Sequence, residues 1–222
     1  MEYDLSKRIK KTPESWLLRL YRRISYPLTR LLVKTSLTPN QISLISFLIA
    51  VPAAIIFSYP GYKYVLLAGI LTELSFMFDL SDGEVARVKG ISSVRGIWLE
   101  HILDQLKDIA LFIGITIGLF KQDPGLSLFI IALLATLSTT VLRFFKITTS
   151  LYYEQIPPPR VLRLYDISAH YTIIFIGAIF NQMLFVLYYF AFIVNFLWVY
   201  KIFMTLKKAK PLESDAGKIK TY

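Results

Sequence analysis

The sequence predicts an all-α integral membrane protein with six transmembrane helices and an amphipathic surface helix at its N-terminal side. Hydrophobic residues make up 55% of the 222 residues, and only 18% are charged. Mean hydropathy is +0.54. A soluble domain is usually about 45–50% apolar, and each transmembrane helix needs roughly 20 apolar residues. The apolar residues form long runs rather than alternating with polar ones, which disfavours a β-barrel.

Residues 1–36 predict a cytoplasmic segment that contains the surface helix. Between residues 15 and 34, apolar side chains recur at helical spacing and basic side chains lie between them. This pattern is typical of a helix that lies on an anionic membrane surface. The alternative is a basic segment that only fixes the orientation of the chain. Pro27 is expected to bend or break the helix.

Residues 37–206 predict the transmembrane domain, and residues 207–222 predict a basic cytoplasmic tail. Turn signals and loops separate six apolar stretches, and a tight hairpin is expected at Asn181 and Gln182. The six stretches are at about 41–58, 64–80, 97–120, 127–149, 168–180 and 183–205.

The basic residues predict the orientation. If both termini are cytoplasmic, loops near 81–95 and 147–166 are cytoplasmic too, and only Lys63 and Lys121 of the 25 Lys and Arg residues lie outside. Such an asymmetry indicates a multi-pass protein of the cell (inner) membrane. It also accounts for the net charge of +10 without a nucleic-acid partner.

Acidic residues gather where the second and third apolar stretches approach the cytoplasm. Asp79 and Asp82 are three residues apart, and Glu100, Asp104 and Asp108 follow at intervals of four. At these spacings each set shares one helix face. A short connection between 83 and 95 would bring the two faces together. Acidic residues at membrane depth are candidates for function.

The residue types at this cluster predict metal-dependent phosphoryl-group transfer. Facing carboxylates need a cation to stay ionised, and all-oxygen ligands favour Mg²⁺, then Mn²⁺ or Ca²⁺. Paired metal ions often act on phosphate. Gly83 permits close approach of the backbone, Ala86 leaves room, and Arg87 offers a planar fork for phosphate. A cation transporter is the rival interpretation, but it predicts acids distributed across the bilayer.

The cluster forms a motif that resembles the signature of the CDP-alcohol phosphotransferases. The family pattern is D-x2-D-G-x2-A-R, about eight or nine residues, and then G-x3-D-x3-D. The sequence reads Asp79, two residues, Asp82, Gly83, two residues, Ala86, Arg87, eight residues, Gly96, three residues, Glu100, three residues, Asp104. Glu100 stands where the family has its third Asp. Thr38-Pro39-Asn40 is similar to a family segment before the first span.

The resemblance implies roles for these residues. Family members transfer a phosphoalcohol from a CDP-linked donor to an acceptor hydroxyl and release CMP. Asp79, Asp82, Glu100 and Asp104 would bind Mg²⁺ or Mn²⁺, with two ions expected, and Asp104 would be the general base. The CDP site would be lined by Asn40, Asp79, Asp82, Gly83, Ala86, Arg87 and Gly96. Asn40 is instead, or in addition, a candidate helix cap.

Several alternatives stay open at this stage. The donor is expected to be CDP-diacylglycerol or an archaeal CDP-lipid, or else a soluble CDP-alcohol such as CDP-inositol. The acceptor is a small polar alcohol. Four cytoplasmic bases would bind a phosphate on that acceptor or only fix orientation, namely Arg143, Lys146, Arg160 and Arg163. We expect Asp108 to pair with a basic neighbour. The resemblance implies a homodimer, and Glu100 leaves an inactive scaffold as an alternative.

Overall fold

The computed structural model describes residues 4–8, 14–152 and 167–208, and these residues are helical apart from short connections. A 3₁₀-helix (Leu5–Arg8) precedes the long helices. The helices are α1 (Trp16–Val33), α2 (Pro39–Phe57), α3 (Tyr62–Lys89), α4 (Val94–Phe120), α5 (Leu126–Tyr152), α6 (Ile167–Ile179), α7 (Met183–Tyr188) and α8 (Asn195–Lys208). One π-helical stretch (Tyr189–Val194) joins α7 to α8. The predicted all-α class is confirmed.

Four helices are long and apolar enough to cross a membrane. They are Pro39–Phe57, Tyr62–Lys89, Leu126–Phe145 and Met183–Lys207. The two other predicted spans correspond to α4, whose N-terminal part carries five charged side chains, and to α6. With 13 residues, α6 is roughly 20 Å long, against a hydrocarbon core of about 30 Å. The described helices therefore support a membrane protein with four candidate spans.

Helix α3 continues into the segment that we predicted as a cytoplasmic loop at 81–95, so the loop is shorter than predicted and only residues 90–93 connect α3 to α4. The helix ends at Lys89, Gly90 adopts a left-handed φ of 68°, and Ser93 caps α4. Asp82 and Glu84 are charged and were expected in an exposed loop, but both are buried in this helix. Tertiary packing overrides the weak helix propensity of Asp82 and Gly83. Both halves of the acidic motif therefore lie on helices, joined by only four residues.

Helix α2 begins at a capping box. Thr38 accepts a hydrogen bond from the backbone of Gln41, whose side chain accepts one from the backbone of Thr38. Pro39 occupies the first helical position, which suits its fixed φ and missing N–H. The cap is therefore Thr38, and the alternative that Asn40 caps this helix is wrong. Asn40 lies inside the first turn.

Helix α1 is continuous through Pro27, so the expected break does not occur. Pro27 is exposed, while the opposite face is buried on both sides of it and packs against α3. The buried residues are Tyr21, Arg22, Ser25, Thr29, Leu32 and Val33. Trp16, Leu20, Ile24 and Leu31 are exposed. The location of this helix on a membrane surface stays a prediction.

The C-terminal helices turn where the sequence indicated. Asn181 has a left-handed φ of 54° in the short connection between α6 and α7, so the predicted hairpin is confirmed. Tyr171 of α6 is 1% exposed and stacks on Phe76 of α3 at a centroid distance of 4.5 Å. This contact fixes α6 beside the acidic end of α3.

Close packing of α4 on α2 supports a mutational prediction. A Cβ at Gly114 would lie 2.0 Å from the carbonyl oxygen of Ala54, whereas a Cβ at Gly125 would meet nothing closer than 3.5 Å. Overpacking typically costs about 1–3 kcal/mol. We expect Gly114→Ala to lower the melting temperature of the detergent-solubilised protein and Gly125→Ala to leave it unchanged. Equal melting temperatures would show that the contact between α2 and α4 accommodates the added methyl group without loss of stability.

Candidate active site

The two halves of the acidic motif face each other between α3 and α4. Asp82 on α3 is 2% exposed, and Asp104 on α4 is 6% exposed. The carboxylate of Asp82 lies within electrostatic range of Asp79, Glu100 and Asp104. The structure therefore places the four acidic residues of the motif near one another, although no three of them are close enough to hold an ion.

A buried lysine lies among these carboxylates. Lys107 Nζ contacts Asp79 Oδ1 and lies 2.7 Å from Asp104 Oδ1. It also donates to Ser46 Oγ at 3.1 Å, and the side chain is 1% exposed. Sequence reasoning missed this role. The signal was present, because Lys107 follows Asp104 by three residues and shares its helix face.

Arg143 of α5 bridges two acidic residues of α4. Its Nη1 donates to Asp104 Oδ2 and its Nη2 to Asp108 Oδ2, both at 2.8 Å. The expected pairing of Asp108 with a basic side chain is confirmed, and its partner is on another helix. Arg143 was a candidate for binding the acceptor phosphate. In this structure its two terminal nitrogens contact carboxylates instead.

The Thr-Pro-Asn segment at the start of α2 reaches both halves of the motif. Ser43, one turn after Asn40, donates its hydroxyl to Asp82. A Cβ at position 96 would lie 2.8 Å from Asn40 Oδ1, so Gly96 gives Asn40 room beside α4. Ser43 was missed, although its spacing of three from Asn40 places it on the same helix face.

The basic end of the motif is linked to α1. Arg87 Nη1 lies near Gly83, at 3.4 Å from where a Cβ would be. Glu84, at a variable motif position, is fully buried and accepts from Arg22 at 2.7 Å and from Thr29 at 2.8 Å. Burial lowers the pKa of Arg22, but Glu14 and Glu84 outweigh it and raise that pKa overall. Arg22 therefore stays charged and anchors α1 beside the motif.

The remaining candidate phosphate-binding residues are not placed by the described part of the chain. Lys146 lies on α5, but its side chain is not described. Arg160 and Arg163 lie outside the described residues. Ala86 is half-buried one turn after Asp82 on α3, next to Arg87.

The carboxylate oxygens of the acidic cluster are suitable ligands for a hard divalent ion, but Lys107 occupies part of the cluster. The candidate ligands are all carboxylates, and Asp104 Oδ1 is buried without a hydrogen bond, although it pairs with Lys107. Within residues 4–8, 14–152 and 167–208, no group of three Asp, Glu, His or Cys side chains is close enough to hold an ion. The ammonium of Lys107 contacts two of the expected ligands.

Comparison with known proteins finds a matching family model and curated relatives. A family model described as CDP-alcohol phosphatidyltransferase matches residues 36–206. The chain is 32% identical over 121 residues to phosphatidylinositol phosphate synthase of Corynebacterium glutamicum, covering 54% of each protein. It is 35% identical over 100 residues to archaetidylinositol phosphate synthase of Pyrococcus horikoshii, covering 43% of this chain and 51% of that protein. The chain thus spans about half the length of these curated relatives.

Solved structures share the fold. The crystal structure of Mycobacterium tuberculosis phosphatidylinositol phosphate synthase with CDP-DAG bound has a TM-score of 0.67 and 18% identity, covering 84% of this chain and 95% of that chain. The same synthase in complex with manganese and citrate has a TM-score of 0.58 and 18% identity, covering 83% and 90%. At this level of identity the likeness concerns the fold alone.

Proposed function

Because the chain belongs to the CDP-alcohol phosphatidyltransferase family, we propose that it transfers a phosphoalcohol group from a CDP-linked lipid to an alcohol acceptor and releases CMP. The observation that carries this proposal is the convergence of the motif carboxylates of α3 and α4 beside the Asn40–Gly96 contact. A site at the end of a membrane helix suits such a reaction, because apolar helices accept lipid tails while the aqueous side accepts the nucleotide and the alcohol.

In the proposed arrangement the protein is a multi-pass protein of the cell (inner) membrane. Helices α4 and α6 complete six spans with the four candidate helices, and α1 lies on the inner surface. Both termini and the site face the cytoplasm, as the distribution of Lys and Arg predicts. The family resemblance also supports a homodimer, which crosslinking in membranes would test.

The proposed CDP site lies between the start of α2 and the motif. The nucleotide would contact backbone and small side chains at Gly83, Ala86 and Gly96. Asn40 and the aspartates of α3 would lie beside it. Arg87, whose guanidinium lies near Gly83, would bind the diphosphate, for which a planar fork is well suited.

The proposed metal ligands are Asp79, Asp82, Glu100 and Asp104. The oxygen-only set favours Mg²⁺ or Mn²⁺. When bound, the metal would neutralise charge on the phosphate oxygens of the donor. The manganese complex of the mycobacterial synthase, which has the same fold, supports this proposal.

In the proposed reaction, Asp104 accepts the proton of the acceptor hydroxyl. The hydroxyl oxygen bonds to the phosphorus that bears the donor alcohol, and the bond from that phosphorus to the bridging oxygen of CMP breaks. CMP leaves with the bridging oxygen. Lys107 and Arg143 pair with the two oxygens of Asp104 and hold its orientation. A carboxylate is a weak base, but phosphoryl transfer needs mainly positioning, and protein kinases use an Asp in the same role.

Two substrate classes follow from the relatives. The synthases of Corynebacterium and Pyrococcus are named for lipid products that contain inositol phosphate, which favours a CDP-linked lipid donor and a phosphorylated polyol acceptor. Lys146, Arg160 and Arg163 are the candidates for binding the acceptor phosphate, since Arg143 contacts Asp104 and Asp108. The second candidate is a transferase that uses a soluble CDP-alcohol such as CDP-inositol.

The decisive experiment is an assay of CMP release by the purified protein in detergent with Mg²⁺ or Mn²⁺. Donors would be CDP-diacylglycerol, an archaeal CDP-lipid and CDP-inositol, each combined with inositol phosphate, glycerol phosphate and inositol, and products would be identified by mass. We expect metal-dependent release with a lipid donor. Absence of CMP release with every pair of donor and acceptor would contradict the proposed enzymatic activity. Cation flux in proteoliposomes would then support the transporter.

Replacement of the unusual motif residue tests whether Glu100 serves as a metal ligand. We expect Glu100→Asp to preserve or raise CMP release, because it restores the family's carboxylate, and Glu100→Gln to reduce it strongly, because a neutral amide is a poor ligand for Mg²⁺. The rate of CMP release at saturating metal measures both variants. Full activity of Glu100→Gln would remove this residue from the metal site, and complete loss in Glu100→Asp would show that the site requires the longer side chain.

A further inference from the structure

Lys107 is bound more completely than a lysine that only balances surface charge. Its ammonium has three N–H donors, and it has three oxygen partners, on Asp79, Asp104 and Ser46. The side chain is 1% exposed. A buried ammonium is costly unless such partners compensate it, so this position is a formed cation site that the chain itself fills.

Ser46 links this site to the surrounding helices. Its hydroxyl donates to the carbonyl oxygen of Ser75 at 2.8 Å, and Ser75 Oγ donates back to the carbonyl oxygen of Ser46 at 2.9 Å. The ammonium is therefore held between α2, α3 and α4 by groups that have fixed partners of their own. Withdrawal of Lys107 would leave two buried carboxylates without this cation.

A divalent ion and this ammonium cannot share the same position. Mg²⁺ binds oxygen at about 2.0–2.1 Å and demands near-octahedral geometry. An ion bridging Asp79 and Asp104 would compete with cations already in contact: Lys107 Nζ contacts one oxygen of each carboxylate, at 2.7 Å for Asp104, and Arg143 contacts the other oxygen of Asp104 at 2.8 Å. Two cations at that separation also repel each other strongly. Asp82, which accepts a hydrogen bond from Ser43, and Glu100 are the expected ligands that remain for a single ion.

We propose that Lys107 is a resident cation that replaces one of the two expected metal ions, so that the chain binds a single divalent ion. The proposal rests on the proposed function only in taking the acidic cluster as the metal site. It also relates two features of α4. Glu100, the one departure from the family motif, precedes Lys107 by seven residues, two helical turns, and so lies on the same face.

The test counts Mn²⁺ ions bound by the full-length purified protein in detergent, using equilibrium dialysis with metal analysis and the electron paramagnetic resonance spectrum of the bound ion. We expect one Mn²⁺ per chain and no spin coupling between ions. Lys107→Met should bind two Mn²⁺ with a coupled spectrum. Lys121→Met is the matched control, because Lys121 is exposed at the other end of α4 and donates to a backbone carbonyl, and it should bind one.

Each outcome decides the proposal. Two ions in the unmodified protein, or one ion in a folded Lys107→Met variant, would overturn it. If Lys107→Met fails to fold, the ion count and the coupling in the unmodified protein still decide. Failure of the proposed function is distinguishable, because a protein that binds one Mn²⁺ but releases no CMP from any donor would retain the cation site and lose the enzyme assignment.

Discussion

Asp104→Asn should lower the rate of CMP release by about 10³-fold, within the range that loss of a general base typically causes. Asparagine has nearly the same shape but cannot accept the proton of the acceptor hydroxyl. The two cations that contact Asp104 keep other acidic partners, because Lys107 also contacts Asp79 and Arg143 also contacts Asp108. The variant should therefore fold and bind CDP nearly as well as the unmodified protein.

The matched control is Asp123→Asn, an identical change in the polar turn between α4 and α5, where the side chain is exposed. We expect it to release CMP at the normal rate. Isothermal titration with CDP separates binding from chemistry in both variants. Normal turnover of Asp104→Asn would assign the base to another residue, whereas loss of CDP binding together with turnover would make Asp104 a binding group.

Much of the fold could be predicted because membrane helices produce long apolar runs. The helix limits agree with the predicted stretches to within a few residues, except where α3 passes into its acidic end. There Asp82 and Gly83 have weak helix propensity. The sequence alone also does not show that Ser43 and Arg22 on other helices bind the carboxylates of Asp82 and Glu84. Composition alone also does not determine the number of transmembrane helices, because α6 is apolar but short.

The site was predictable to the extent that its residues are close in sequence. The motif positions on α3 and α4 follow from spacings of three and four residues. Arg143 was recognised only as a basic residue, because its partners Asp104 and Asp108 lie 39 and 35 residues before it. Lys107 has one local partner and two distant ones, so its spacing from Asp104 indicates a pair but not its position among the carboxylates.

The ion pair between α1 and α3 leads to the largest stability prediction. Arg22 and Glu84 are joined at 2.7 Å with side-chain exposures of 9% and 0%. Breaking a buried pair from one side costs about 3–5 kcal/mol, because the remaining charge is left buried without its partner. We expect Arg22→Met to lower the free energy of unfolding in detergent by about that amount. Arg23→Met, an exposed neighbour, should have little effect.

A double-mutant cycle identifies the cause of this loss. Glu84→Gln removes the carboxylate charge, so the double variant Arg22→Met/Glu84→Gln should be more stable than Arg22→Met alone. Arg22 also binds Glu14 at 2.8 Å, so recovery should be partial. Purely additive effects would show that Arg22 acts through packing rather than charge. Since Glu84 lies between Gly83 and Arg87, recovered stability without recovered CMP release would show that the pair also holds the motif in position for catalysis.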